Sequence, residues 1–113
     1  MGLNRLLVSV LASILVFSVP IARAEMSEIK IAEGLGIGFL PMYVMRDYKL
    51  VEKYAKTEKL DNLKIDWVRV SGGTMMNDGL FSGSLQVASG GITPLIVAWA
   101  KTTNSPQEIK GIS

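Results

Sequence analysis

The segment Leu63-Lys64-Ile65-Asp66-Trp67-Val68-Arg69-Val70-Ser71-Gly72-Gly73-Thr74 changes character in mid-course. Its first part alternates apolar and polar residues and then turns β-branched, as a half-buried strand does. It leaves through Ser71-Gly72-Gly73, and a short helical pattern runs from about Thr74 to Phe81, ended by Gly83. A strand that turns through glycine into a helix is half of a βα crossover. The same order recurs on both sides. Upstream, Ile29-Lys30-Ile31-Ala32 is a short alternating strand, followed by Glu33 and Gly34-Leu35-Gly36-Ile37-Gly38. Downstream, Leu85–Ala88 is a third strand, followed by Ser89-Gly90-Gly91-Ile92-Thr93.

Between the first two strands, Leu40, Tyr43, Val44, Tyr48, Val51 and Ala55 recur at three- and four-residue spacings. That spacing predicts a helical run with one apolar face, with Pro41 in its first turn. The charged stretch Lys56–Asn62 reads as a solvated loop. After the third strand, Thr93 is the expected N-cap and Pro94 a first-turn proline. Leu95–Ala100 is apolar on every side, so this helix is expected to lie buried between other elements. Asn104-Ser105-Pro106 breaks the pattern, and a fourth strand is expected to begin at Ile109. The order β-α-β-α-β-α predicts an α/β fold with a mostly parallel sheet and right-handed crossovers.

The chain has 113 residues, enough for one ordinary domain. Arg5, the apolar run Leu6–Val19, Pro20 and Ala22-Arg23-Ala24 form the pattern of a secretory signal peptide cut after Ala24. The run is 14 residues long, whereas a membrane-spanning helix needs about 20. Residues 1–24 hold two arginines and no acid, so removing them reduces twelve basic residues to ten, against ten acids. The neutral mature chain has no basic surplus to attract nucleic acid, and cleavage leaves no stable membrane insertion. Cysteine and histidine are absent, which excludes disulfides, thiolate metal sites and the commonest general base. Export without cysteine suits a periplasm.

Seven of the ten glycines beyond residue 24 fall directly after the predicted strands. They are Gly34, Gly36 and Gly38; Gly72 and Gly73; Gly90 and Gly91. In an open α/β sheet ligands bind beyond the carboxyl ends of the strands, where glycine lets backbone N–H groups approach and the next helix presents its positive end. Ser71, Thr74 and Ser89 add hydroxyls. Each loop alone reads first as the turn and cap of any βα unit; three at one edge favour a solute site. Sharper motifs are missing. Gly34–Gly38 is G-x-G-x-G rather than a dinucleotide fingerprint, and no phosphate loop or catalytic triad is present. Glu33 reads as a solvated or capping acid, a pair with Asp78 needing the fold to bring them together. The pairings Met42/Met45 and Met75/Met76, with Trp67 and Trp99, read as core.

These residues carry a resemblance. The leader, the Ile29–Ala32 strand, Gly34–Gly38 and Phe39-Leu40-Pro41 resemble the start of periplasmic binding proteins of the nitrate/sulfonate/taurine ABC-importer family. The stretch Trp67–Ala100, with S-G-G-T, L-F-S-G-S-L-Q-V-A-S-G-G and T-P-L, is similar to that family's second and third βα units. The resemblance implies a periplasmic-binding-protein-like (type II) lobe with αβα layers and a non-enzymatic receptor without cofactor. It would bind a small-molecule solute (sulfonate, taurine, nitrate or a pyrimidine precursor) and deliver it to a membrane permease. It implies solute contacts at Gly34, Gly36, Gly38, Ser71, Gly72, Gly73, Thr74, Ser89, Gly90 and Gly91. Glu33 departs from it, since an inward carboxylate opposes a small anion. Residues 25–113 are expected to be the first part of the N-terminal lobe of a two-lobed protein, cut in a strand near Ser113. A pyrimidine-synthesising protein on the same scaffold and a small exported interaction protein are the alternatives.

Overall fold

The computed structural model describes residues 26–112; the predicted signal peptide lies outside them. Strands β1 (Glu28–Glu33), β2 (Lys64–Arg69) and β3 (Val87–Ala88) form a parallel sheet in the order β2-β1-β3. A 3-10 turn (Ile37–Phe39) leads into α1 (Leu40–Asp47), followed by α2 (Leu50–Thr57), α3 (Gly73–Ser82) and α4 (Ile92–Thr102). The chain is therefore α/β, as the alternating pattern predicts.

β1 is central, in register from Glu28 opposite Lys64 to Glu33 opposite Arg69, and with Ala32 opposite Ala88 on its other side. Its neighbours cover both edges, and Ile31, Ala32 and Glu33 are all buried, so both faces are covered at this end of the strand. Consecutive residues of a strand point to opposite faces. Ala32 packs with Val70, Met76 and Leu85, against which Phe39, Val68, Leu80 and Ala88 also lie. Glu33, on the other face, meets Arg46 of α1. The chain steps from β1 to β2 in one direction and from β2 across to β3 in the other. Right-handed crossovers in opposite directions send α1 and α3 to opposite faces, consistent with these contacts.

Several expectations need correction. The helical run over 40–55 is two helices. Tyr48 N–H bonds Val44 O at 3.0 Å and Lys49 N–H bonds Arg46 O at 3.1 Å, closing α1. Lys49 turns left-handed (φ 52) and α2 begins. The apolar spacing runs unbroken through this point, and no glycine or proline marks it. α2 extends to Thr57, into the predicted loop, and closes with Leu60 N–H to Ala55 O (2.8 Å) and Lys59 N–H to Lys56 O (3.0 Å). That is a Schellman closure with lysine, φ 61, where glycine is usual.

α4 starts at Ile92 with Gly91 as its N-cap, not at Thr93. It is not buried all round: Ala98 is buried, while Ile92, Ile96 and Trp99 are 69%, 55% and 51% exposed. The helix packs along α3 and leaves its outer face open. Met76 is core but Met75 is exposed, and Trp67 is only half-buried. The predicted fourth strand does not form among the described residues. Ile109 N–H goes to Thr102 Oγ1 at 3.0 Å, which ties this segment to the end of α4.

Candidate functional site

Parallel pairing brings the carboxyl ends of all three strands to one edge, so the three glycine loops share it. The order β2-β1-β3 also makes the gap between β1 and β3 the point where neighbouring connections leave to opposite faces, the usual crevice for a ligand.

The second and third loops approach each other where α3 meets α4. A Cβ on Gly73 would lie 2.8 Å from the Pro94 Cβ, so glycine permits the close approach of α3 and α4. Asn77, 9% exposed, donates from Nδ2 to Pro94 O at 3.0 Å and fastens the first turn of α4 to α3. Sequence reasoning missed Asn77; its place one helical turn after Gly73 was the available signal. Gly72 holds φ 89, a left-handed conformation that only glycine adopts easily. Gly90 is exposed, with Pro94 and the Met76 sulfur at ordinary contact distance, and Gly91 lies beside Pro94. Ser71 and Thr74 are exposed, while Ser89 is half-buried, its N–H going to Ala32 O at 3.3 Å.

Neither helix start carries a side-chain cap. The first backbone bonds are Met76 N–H to Gly72 O (3.3 Å) and Leu95 N–H to Gly91 O (3.4 Å). The N–H groups of Gly73, Thr74, Met75, Ile92 and Thr93 therefore have no acceptor among the described residues. Gly73, Thr74 and Thr93 line one groove of about 370 Å³, while Ser89, Gly90 and Gly91 line another of about 400 Å³; Asn77 and Pro94 border both. Unbonded donors at a positive helix end suit a polar or anionic group.

The first loop is held differently. Tyr43 Oη donates to Gly34 O at 2.7 Å, and a side chain on Gly34 would collide with the Phe39 ring. Gly34 is thus a packing glycine, whereas Gly36 and Gly38 face open space. No hydrogen bond joins Gly34–Gly38 to the other two loops among the described residues.

Glu33 is not solvated as expected. It is 2% exposed, and its Oε1 accepts from Arg46 Nη1 and, at 3.4 Å, from Arg69 Nη2. Arg46 also donates from Nε to Asp47 Oδ1 at 3.0 Å and sits over the Tyr43 ring, 5.4 Å from its centroid. The Asp47 hydrogen bond chiefly holds the Arg46 pKa above its ordinary value; burial opposes this and Glu33 adds to it. Asp78 is exposed on α3 while Glu33 faces α1, so the two acids form no pair. Among the described residues no cluster of His, Cys, Asp or Glu is arranged to hold a metal, and no helix is long and apolar enough to cross a membrane. No family model matches the chain, and no curated protein or solved structure shows significant similarity to it.

Proposed function

We propose that this chain is the receptor of an ABC importer, or the first part of its N-terminal lobe, binding a small solute outside the cytoplasm and handing it to a membrane permease. The observation that carries the reading is the junction of Gly72-Gly73-Thr74 with Ser89–Pro94. Two βα units of the same S-G-G pattern bring uncapped helix starts together at the Gly73–Pro94 contact, at the carboxyl edge of one sheet. The resemblance to the nitrate/sulfonate/taurine binding family, and through it to a type II lobe with αβα layers, points the same way. So does the apparent export signal. In this reading backbone N–H groups with the Ser71, Thr74 and Ser89 hydroxyls hold the solute, and a second lobe closes over it. No catalytic step is assigned.

The test is calorimetric titration of the full chain with nitrate, taurine and an alkanesulfonate, repeated in Gly90→Val. A Cβ at Gly90 meets only ordinary contacts, the nearest at 3.7 Å, and circular dichroism checks that the larger valine leaves the fold intact. The expected result is binding of at least one solute, lost in the variant with unchanged circular dichroism. Absence of binding by the wild type, or binding indifferent to Gly90→Val, overturns the reading.

A further inference from the structure

The order β2-β1-β3 leaves one side of β2 and one side of β3 unpaired among the described residues, and β2 has six residues where β3 has two. None of the six is buried, whereas β1 buries three. An open edge of this length is a template for another strand.

The backbone bonds fix what this edge offers. Lys64 N–H goes to Ser27 O and Val70 N–H to Glu33 O, both at 2.9 Å, so the even-numbered residues of β2 turn toward β1. Ile65, Trp67 and Arg69 therefore turn their N–H and C=O groups outward. In a two-fold antiparallel pairing with a second copy, outward residues must face outward residues, so the axis passes through a residue position. An axis at Lys64, Asp66 or Arg69 sets like charges directly opposite each other. One at Trp67 or Val68 leaves Lys64 and Asp66 without a charged partner across the joint. An axis at Ile65 sets Lys64 opposite Asp66 of the second copy, twice. Those positions form the narrow, non-hydrogen-bonded pairs, in which facing side chains are closest. Ile65 faces its own copy and exchanges both backbone bonds with it. Trp67 N–H meets Leu63 O, which accepts no backbone bond outside the strand ladder among the described residues.

The side chains suit this register. Within the chain Glu28 stands opposite Lys64, bonded at 2.7 Å, and Lys30 stands opposite Asp66. Asp66 has no ion pair among the described residues, and the Lys64 side chain is 70% exposed. Across the joined edge a row reads Glu28, Lys64, Asp66, Lys30, with signs alternating throughout. On the other face Trp67 comes against Leu63, which lines an apolar groove of about 500 Å³ with Leu50, Tyr54 and Leu60. Tyr54 and Leu60 are 72% and 45% exposed.

We propose that two copies of this chain join antiparallel through β2, about an axis at Ile65, into a continuous six-stranded sheet. The carboxyl edges of the two halves then lie at opposite ends of that sheet. The pairing does not depend on the receptor reading.

Sedimentation velocity of the full chain is expected to show a dimer with a Kd below about 100 µM. Asp66→Lys and Lys64→Glu each set like charges opposite one another at both pairs, and each is expected to weaken the dimer about tenfold or more. An equal mixture of the two variants restores opposite charges at both pairs and is expected to associate about as tightly as the wild type. The chain has no cysteine, so Ile65→Cys gives an independent readout. Facing Cα atoms of a hydrogen-bonded pair lie about 5.5 Å apart, within disulfide reach. Oxidation is expected to link Ile65→Cys into a covalent dimer and to leave Arg69→Cys, far from the axis, unlinked. A monomer at about 300 µM, charge variants that associate as the wild type does, a mixture no tighter than its parts, or equal linking of the two cysteine variants overturns the proposal. If a charge variant does not fold, the two cysteine variants decide.

Discussion

Gly79 sits inside α3, where helix propensity alone says alanine is better by about 1 kcal/mol. The tertiary structure reverses that sign. A Cβ at position 79 would lie 2.8 Å from Leu85 Cγ and closer still to Cδ1, and Leu85 is a core residue, 7% exposed. Overpacking of this kind costs about 1–3 kcal/mol, so Gly79→Ala is expected to be destabilising by about 1 kcal/mol net. Leu85→Ala alone costs about 3 kcal/mol, within the usual range for a buried leucine. With both changes the clash is gone, since the two Cβ atoms stand 3.4 Å apart, and the helix gain returns. The double variant is then expected to lose only about 2 kcal/mol, a coupling of about 2 kcal/mol relative to additivity. Urea unfolding of the full chain, followed by Trp67 and Trp99 fluorescence, measures all four states of the cycle. The contact also concerns the site, because Leu85 N–H bonds Gly79 O at 3.0 Å and so sets where β3 and its Ser89–Gly91 loop begin. A Gly79→Ala variant more stable than the wild type, or an additive cycle, refutes the packing argument.

Three further outcomes are expected. Lys59→Gly relieves a left-handed lysine at the Schellman position of α2 and raises the unfolding free energy by about 1 kcal/mol in urea melts. Gly73→Ala forces α4 away from α3 through Pro94 and lowers stability by about 1–2 kcal/mol, whereas Gly90→Ala changes it by less than about 0.5 kcal/mol; thermal melts compare the two. Across β1 and β2, Lys64 Nζ donates to Glu28 Oε1 at 2.7 Å, and that hydrogen bond followed by the lysine charge holds the Glu28 carboxyl below its ordinary 4.5. The same contact holds Lys64 above its ordinary 10.5. The Glu28 contribution is therefore complete above pH 4.5 and is lost as pH falls through the lowered value. The Lys64 contribution is complete below 10.5 and is lost as pH rises through the raised one. A carboxyl-carbon NMR titration is expected to show the Glu28 midpoint return toward its ordinary value in Lys64→Met.

The α/β alternation was legible because strands and helices impose periods of 2 and 3.6 on the residues that must leave water. The three glycine loops were legible because tight βα turns demand small residues at fixed places. The α1–α2 break was not, since Lys49 adopts its left-handed conformation without a local signal and the apolar spacing passes through it. Nor was the exposure of Ile92, Ile96 and Trp99, because periodicity counts apolar positions but not the elements available to cover them.

The site divides in the same way. Amino-acid order alone placed glycine and hydroxyl residues at the strand ends, and it named Glu33 without locating its partners. Arg46 is 13 residues further on and Arg69 is 36, and only strand register and the path of α1 bring both guanidinium groups to one carboxylate. The fold also sorted the glycines. It assigned Gly34 and Gly73 to packing, against Phe39 and Pro94, and left Gly36, Gly38 and Gly90 without close contacts on the side facing solvent. Local chemistry determines which residues a turn accepts. What those residues face depends on contacts distant in sequence, and these exist only once the chain has packed.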